Sequence, residues 1–377
     1  MDNKTKNKSE NFNLEPQDIH IIRNIPINKG NYSSFETKER EELFEKHKGE
    51  DWEDEYKGYR SDWSKFPKKQ FVNDYPLLVD IELSALCNLH CPMCYTITDD
   101  FKEKVSARNM DFDLFKKIID EIGGKVPAIR LSLRGEPTLN KNFIECIRYA
   151  KEKGIKEVST LTHGKKLEPK YFKKMVDAGI DWITVSIDGL DDEYEKIRHP
   201  LKFKDTLRRI TQMQEYKTEN GLKKPVVKIQ SLWPAIRKNP SDFYNTFEPI
   251  SDLIAFNPLI DYLQKDSNIK YIDNFVCPQL YQRLVIGADG SAMMCSNDEE
   301  NEHVLGDVNN VTVYSIWHSK ALNDVREMHL KQDGFKGNSV CRKCYLPREV
   351  ESGEVSDVNG RDFHILNYVN RPQNLGD

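Results

Sequence analysis

Residues 77–94 read LLVDIELSALCNLHCPMC. An apolar run of strand length, LLVDIELS (77–84), ends in a loop carrying Cys87, Cys91 and Cys94 at the spacing C-x₃-C-x₂-C. A strand that delivers chemistry-bearing side chains at its C-terminal end is the pattern of parallel α/β proteins. The chain beyond repeats the unit. FDLFKKIIDEIG (112–123) has helical spacing and leads to the strand AIRLSLRG (128–135), then to the helix NFIECIRYAKEKG (142–154). EVSTLTHG (157–164), KYFKKMVDAG (170–179) and WITVSIDG (182–189) continue the alternation. A helix from about Lys204 to Tyr216 precedes the strands VVKIQSLW (226–233) and DLIAFNPLI (252–260). Apolar, β-branched strands joined by short loops predict a parallel sheet covered by helices. Six βα units are too few for an eight-stranded barrel and fit an open barrel or a doubly wound sheet.

The rest of the composition narrows the class. The 377 residues carry 56 Lys and Arg against 61 Asp and Glu, a formal charge of −5. This balance, without a basic block, argues against a nucleic-acid partner. No stretch reaches the roughly 20 apolar residues that span a bilayer, so no membrane partner is expected. Residues 1–20 lack an apolar signal segment, which predicts a cytoplasmic protein with reduced thiols. In that setting, cysteines at short spacings are read as metal ligands. Seven of the eight fall into two groups: Cys87, Cys91 and Cys94, then Cys277, Cys295, Cys341 and Cys344. Cys146 stands alone in a helical pattern and is expected in the core.

Four segments are expected. Residues 1–76 form a charged arm, loosely attached over the first 35 or so and helical from Glu36 to Trp63. Its aromatic residues either pack the arm on the body or cover an active-site mouth. Residues 77–265 form the βα core. In 266–350, QRLVIGADGSAMMC (282–295) reads as a hairpin with Asp289-Gly290 at its turn, and SIWHSKALNDVREMHL (315–330) reads as helical. Residues 351–377 read as a polar surface tail in which HILNYV (364–369) packs back.

Three thiolates are one short of the four that close a zinc or iron–sulfur site. A [4Fe–4S] cluster held by three keeps one iron open. At this point the chain resembles the radical S-adenosylmethionine (radical SAM) superfamily. The resemblance implies that the open iron binds the amino and carboxylate groups of SAM, and that reductive cleavage of SAM gives a 5′-deoxyadenosyl radical. It also implies a partial (β/α)6 TIM-like barrel, followed by a small α+β cluster-binding domain. Met93 stands where the family usually places an aromatic beside the adenine. Leu133-Arg134-Gly135-Glu136-Pro137 resembles the family's Gly-Gly-Glu segment, with Arg134 in place of the first glycine. Leu161-Thr162-His163-Gly164 resembles its Thr-Asn-Gly turn. Ser186 and Asp188 end the fourth strand, and Arg198 lies where the family commonly places an arginine for the methionine carboxylate. The SAM shell implied is therefore Met93, Gly135, Glu136, Thr162, Ser186, Asp188 and Arg198.

The second group has Cys277 and Cys295 around the hairpin, with Gly290 five residues before Cys295, then Cys341-x₂-Cys344. It resembles the SPASM domain in its shortened, twitch form, which implies one auxiliary [4Fe–4S] cluster with all four irons ligated. Structural zinc is the alternative for these four cysteines. Asp298, Glu299 and Glu300 read as a solvated loop. The spacing is close to that of the radical SAM dehydrogenase acting on 2-deoxy-scyllo-inosamine. This implies oxidation of a small hydroxylated substrate, a sugar or cyclitol, with one electron passing to the auxiliary cluster and an external donor such as flavodoxin or ferredoxin supplying the reductant. The alternatives are modification of a peptide side chain, epimerisation or dehydration of a polysaccharide sugar, and a non-catalytic metal-binding module. Tyr95, Arg134, His163, Gln230 and Trp233 are candidates to face the substrate, and no residue stands out as the proton acceptor.

Overall fold

The computed structural model describes residues 33–258 and 268–370. The first 32 residues of the arm, the end of the strand expected over 252–260, and the last seven residues lie outside them.

The core is a parallel sheet of six strands in sequence order: β2 (Leu78–Ile81), β3 (Ala128–Arg130), β4 (Glu157–Thr162), β5 (Trp182–Ser186), β6 (Val226–Leu232) and β7 (Leu253–Asn257). A short β1 (Ser33–Ser34) runs antiparallel to β7 at one edge. At the other edge β8 (Arg283–Ile286) joins β2 in parallel and continues antiparallel into β9 (Ser291–Met293) and β10 (Val304–Asp307). The edge strands β1 and β10 do not meet, so the barrel is partial and open.

Helices cover the outside because each presents one apolar stripe. After the arm helices α1 (Lys38–Lys48) and α2 (Glu53–Lys69) and a short α3 (Asp99–Lys104) comes α4 (Phe112–Ile122), capped by the Asp111 carboxylate. Helix α4 buries Phe115, Ile118, Ile119 and Ile122. Then come α5 (Phe143–Glu152), α6 (Pro169–Ala178), α7 (Asp191–Ile197), α8 (Phe203–Glu219), α9 (Trp233–Ile236) and α10 (Pro240–Phe247). Cys146 is buried on the inner face of α5, as its helical position predicts. No helix among the described residues is long and apolar enough to cross a membrane.

The arm packs at the N-terminal ends of the strands, opposite the cysteine loop. Phe44 of α1 meets the Trp182 ring at the start of β5, with centroids 5.8 Å apart. The Trp63 carbonyl of α2 accepts the Gln282 side-chain amide at 2.7 Å, just before β8. The aromatics of α1 and α2 therefore floor the barrel and do not cover the cluster mouth. The reason is geometric: the mouth is already occupied by the βα loops.

Two other segments differ from expectation. The stretch 315–330 is divided into α11 (Val313–Trp317) and α12 (Lys320–Leu330), because Ser319 accepts from the Leu322 N–H and caps a new helix. A short α13 (Ser339–Lys343) follows. Residues after Glu349 are a hairpin, β11 (Val350–Val358) and β12 (Arg361–Tyr368). It packs back through buried Val358 and Ile365, and the Trp233 indole N–H donates to Glu354.

Candidate functional site

A cavity of about 530 Å³ occupies the barrel. Cys87, Cys91 and Cys94 line its upper end, together with Met93. The loop that carries them is fastened by backbone contact. The Glu136 N–H donates to Leu86 O at 2.7 Å, and a Cβ on Gly135 would stand 2.4 Å from the same oxygen. Glycine is required here by close approach, since all three clashing atoms, Leu86 O, Ser84 O and the Ala85 carbonyl carbon, are backbone. Burial pushes the Cys91 thiol up to about 11 and raises Cys87 as well, against a small opposing effect of Arg198. Thiols raised in this way become thiolates together only beside a strongly cationic centre, which fits an iron–sulfur cluster.

Glu136 is the hub of the neighbouring turns. Its carboxylate accepts from the Thr138 hydroxyl (2.5 Å), the Thr162 hydroxyl (2.7 Å) and the His163 N–H (3.0 Å). Thr162 is thus spent on Glu136 and does not reach the cavity wall, whereas Gly135, Glu136, Ser186, Asp188 and Arg198 do. Asp188 accepts the Arg198 Nε–H at 2.7 Å and the Leu232 N–H at 3.1 Å, which fixes the guanidinium against the cavity. That ion pair, with burial opposing it, holds Arg198 above its ordinary pKa.

The candidates for substrate contact separate. Gln230 and Tyr95 line the cavity; Gln230 donates to Asn257 at 2.8 Å. His163 lines it too, with Nε2 2.8 Å from Asn88 Oδ1. Arg134 lines the cavity as well, but it is held in a buried pair with Glu82 (2.6 Å) and donates to Asn301 (2.8 Å), tying the core to the loop after Cys295. Trp233 is core, packed against Phe35 and Phe256.

Cys277, Cys295, Cys341 and Cys344 line one small pocket walled by Phe275, Leu280, Met294 and Val340. Burial raises all four thiols, Cys277 and Cys344 to about 12. The neighbouring His329 is held neutral, its pKa lowered by burial to about 4. No charged side chain lines this pocket, so four thiolates there require cationic metal. Among the described residues no three His, Cys, Asp or Glu side chains converge on one ion-sized point. Asp298 is 2% exposed and is not a solvated loop residue. It accepts the Glu302 and His303 N–H groups at 2.7 and 2.8 Å and so shapes the turn after Cys295.

The polar character of the barrel interior was the feature the sequence reading passed over. Barrel cores are normally filled by Val, Ile and Leu. Here the inward positions are Asp80 and Glu82 of β2 and its exit, Arg130 of β3, Ser159 of β4, Thr184 of β5 and Lys228 of β6. The signal was a period-2 alternation within runs that read as continuously apolar, as in V-D-I-E-L-S (79–84) and V-V-K-I-Q (226–230).

Comparison with known proteins agrees with the layout. Residues 81–229 match the radical SAM superfamily, and residues 277–345 match the iron–sulfur cluster-binding domain called SPASM. The Fe-coproporphyrin III synthase of Methanosarcina barkeri is 31% identical over 144 residues, covering 37% of this chain and 35% of that protein. The AdoMet-dependent heme synthase of the same organism is 28% identical over 216 residues, covering 57% of this chain and 58% of that protein. The chain therefore spans less than two thirds of either relative. The crystal structure of BtrN in complex with AdoMet and 2-DOIA superposes with a TM-score of 0.51 at 16% identity, over 78% of this chain and 100% of that one. At that identity the likeness establishes the fold.

Proposed function

Because the chain belongs to the radical SAM superfamily and carries a SPASM domain that binds auxiliary iron–sulfur clusters, we propose that it oxidises a small hydroxylated substrate, such as a sugar or cyclitol, at a carbon bearing oxygen. The observation that carries this reading is the contrast between its thiol sets: three line a cavity of about 530 Å³, and four line a second, small pocket. When bound, the first cluster with SAM supplies hydrogen-atom abstraction through a 5′-deoxyadenosyl radical, and the second supplies a place for the electron left on the substrate.

The remaining work is done by the chain. Cys87, Cys91 and Cys94 hold the first cluster, and Gly135 lets the loop that carries them seat against the β3 turn. Arg198, oriented by Asp188, pairs with the SAM carboxylate, and Ser186 hydrogen-bonds to the same ligand. Met93 packs beside the adenine. Glu136 offers its remaining acceptor capacity to the SAM ammonium, while Thr162 and His163 fix its orientation. Cys277, Cys295, Cys341 and Cys344 ligate the second cluster completely, which suits electron transfer and leaves no iron for substrate. The oxidation balances as follows: one hydrogen atom leaves to the deoxyadenosyl carbon, one proton to solvent or a base, and one electron to the second cluster. A low-potential carrier such as flavodoxin or ferredoxin supplies the electron that cleaves SAM.

The test is stoichiometric. Reconstituted enzyme given a candidate cyclitol or sugar should form one 5′-deoxyadenosine for each carbonyl product. Deoxyadenosine without oxidised product across such a panel would contradict the reading.

A further inference from the structure

The lower half of the barrel cavity lies away from the cysteine loop, and nothing assigned above uses it. Three carboxylates sit around this floor, and each is already engaged. Glu45 faces Arg60 at 3.9 Å, Glu157 faces Lys48 at 3.6 Å, and Asp80 is shared by Arg130 at 2.8 Å and Arg283 at 3.1 Å. Lys228 brings a fifth cation to the same space. Lys48 and Lys228 are 4% and 5% exposed. Their ammonium groups lie 4.2 and 5.4 Å from the centroid of one indole, that of Trp182. Burying like charges around one ring is costly unless an anion joins them.

Hydrogen-bonding groups at the floor point the same way. Trp182 Nε1 and Arg283 Nε are buried without a hydrogen-bond partner and both residues line this cavity, whereas the likewise unbonded Glu157 Oε2 and Asp80 Oδ1 stand in ion pairs with Lys48 and Arg130. Buried donors without partners are rare in folded proteins.

We propose that the barrel floor is an anion subsite, in which a phosphate carried by the substrate rests against Lys48, Arg130 and Lys228 while the oxidised carbon lies beneath the cysteine loop. This rests on the reading of a small hydroxylated substrate and narrows it to sugar phosphates and nucleotide sugars. With Lys228 protonated the floor carries two cations more than carboxylates, which matches a phosphate dianion or a diphosphate, and the Trp182 indole N–H adds a neutral donor. The arm acquires a role, since Lys48 is its contribution to the floor. The upper end has the opposite balance: Glu82, Glu136, Asp188 and Glu299 stand around Arg134 and Arg198.

Titration supplies an independent signature. Burial, then Lys48 and then Arg130, lower Lys228 to about 7. The same floor holds Glu157, paired with Lys48, and Asp80, shared by Arg130 and Arg283. An arriving anion raises that pKa again. Binding therefore takes up a proton above about pH 7 and weakens as pH rises further.

The experiment is calorimetric titration of full-length, cluster-reconstituted protein with inorganic phosphate and pyrophosphate. It is run in buffers of different ionisation enthalpy between pH 6.5 and 9. Saturable binding with proton uptake near pH 8 is expected, weakened at least about tenfold by Lys48→Met or Lys228→Met. Lys228→Arg should keep the affinity and abolish the proton uptake, which guards against misfolding of the methionine variants. Absence of saturable binding, affinity in both methionine variants equal to that of the unaltered protein, or equally tight binding of the dicarboxylate succinate would overturn the proposal. Failure of the oxidation reading looks different: the phosphate site survives and no carbonyl product forms. Carbonyl formation from a neutral sugar, untouched by Lys228→Met, would sink the anion subsite alone.

Discussion

The two cysteine groups occupy contrasting surroundings. The first lies on a loop at the top of a polar cavity of about 530 Å³, with Arg198 and Glu136 beside it. The second lines a small pocket of mostly apolar side chains, with Gln279, Asn297 and a neutral histidine among them. A site meant to exchange a ligand needs room and charge complementarity around an open position. A site meant only to hold a cluster needs four ligands and a dry wall. The number of thiols and the character of the pocket agree in each case, and that agreement supports the proposal of SAM chemistry at one and electron storage at the other.

The sharpest way to break the contrast is to remove one ligand from each site. Cys94→Ala should reduce SAM cleavage to background, measured as 5′-deoxyadenosine under dithionite. Cys344→Ala should lose about half of the iron and all oxidised product while deoxyadenosine still forms. Identical behaviour of the two variants, both folded by circular dichroism, would dissolve the division.

Smaller perturbations sharpen it. Gly135→Ala drives a methyl group into Leu86 O and displaces the cysteine loop, so kcat should fall by about 100-fold. The four-cysteine site lies elsewhere, so its iron should remain. Asp188→Asn leaves Arg198 in place but unoriented, which should raise the KM for SAM about tenfold, roughly 1.4 kcal/mol, with little change in iron content. At the low end, Cys146→Ser puts a hydroxyl into the α5 core and should cost about 1–2 kcal/mol of stability with no loss of iron. Iron loss from that variant would mean that the eighth cysteine had been misassigned.

What was legible followed from local spacing. The loop after the first strand, the six βα units and the two cysteine groups are each set by residues near one another in sequence. The barrel interior was harder, because Asp80, Arg130 and Lys228 sit in runs whose outward residues are strongly apolar. Their alternation was on the page but was hidden by the Val and Ile on either side. Other features depend on long-range packing and had no local signal. Lys48 reaches Glu157 across 109 positions only because α1 folds under the strands. Asp298 reads as one acid among three until the chain turns back and gives it two N–H groups. Trp233 resembled a pocket residue until β1 brought Phe35 against it.

The most direct test of the central claim is electron paramagnetic resonance on the reduced, fully reconstituted chain, with and without SAM, beside Cys94→Ala. The account predicts about eight irons per chain and two cluster signals. SAM should shift one of them, and Cys94→Ala should delete that one and leave the other unchanged. A single cluster, or a SAM-induced shift that persists in Cys94→Ala, would contradict it.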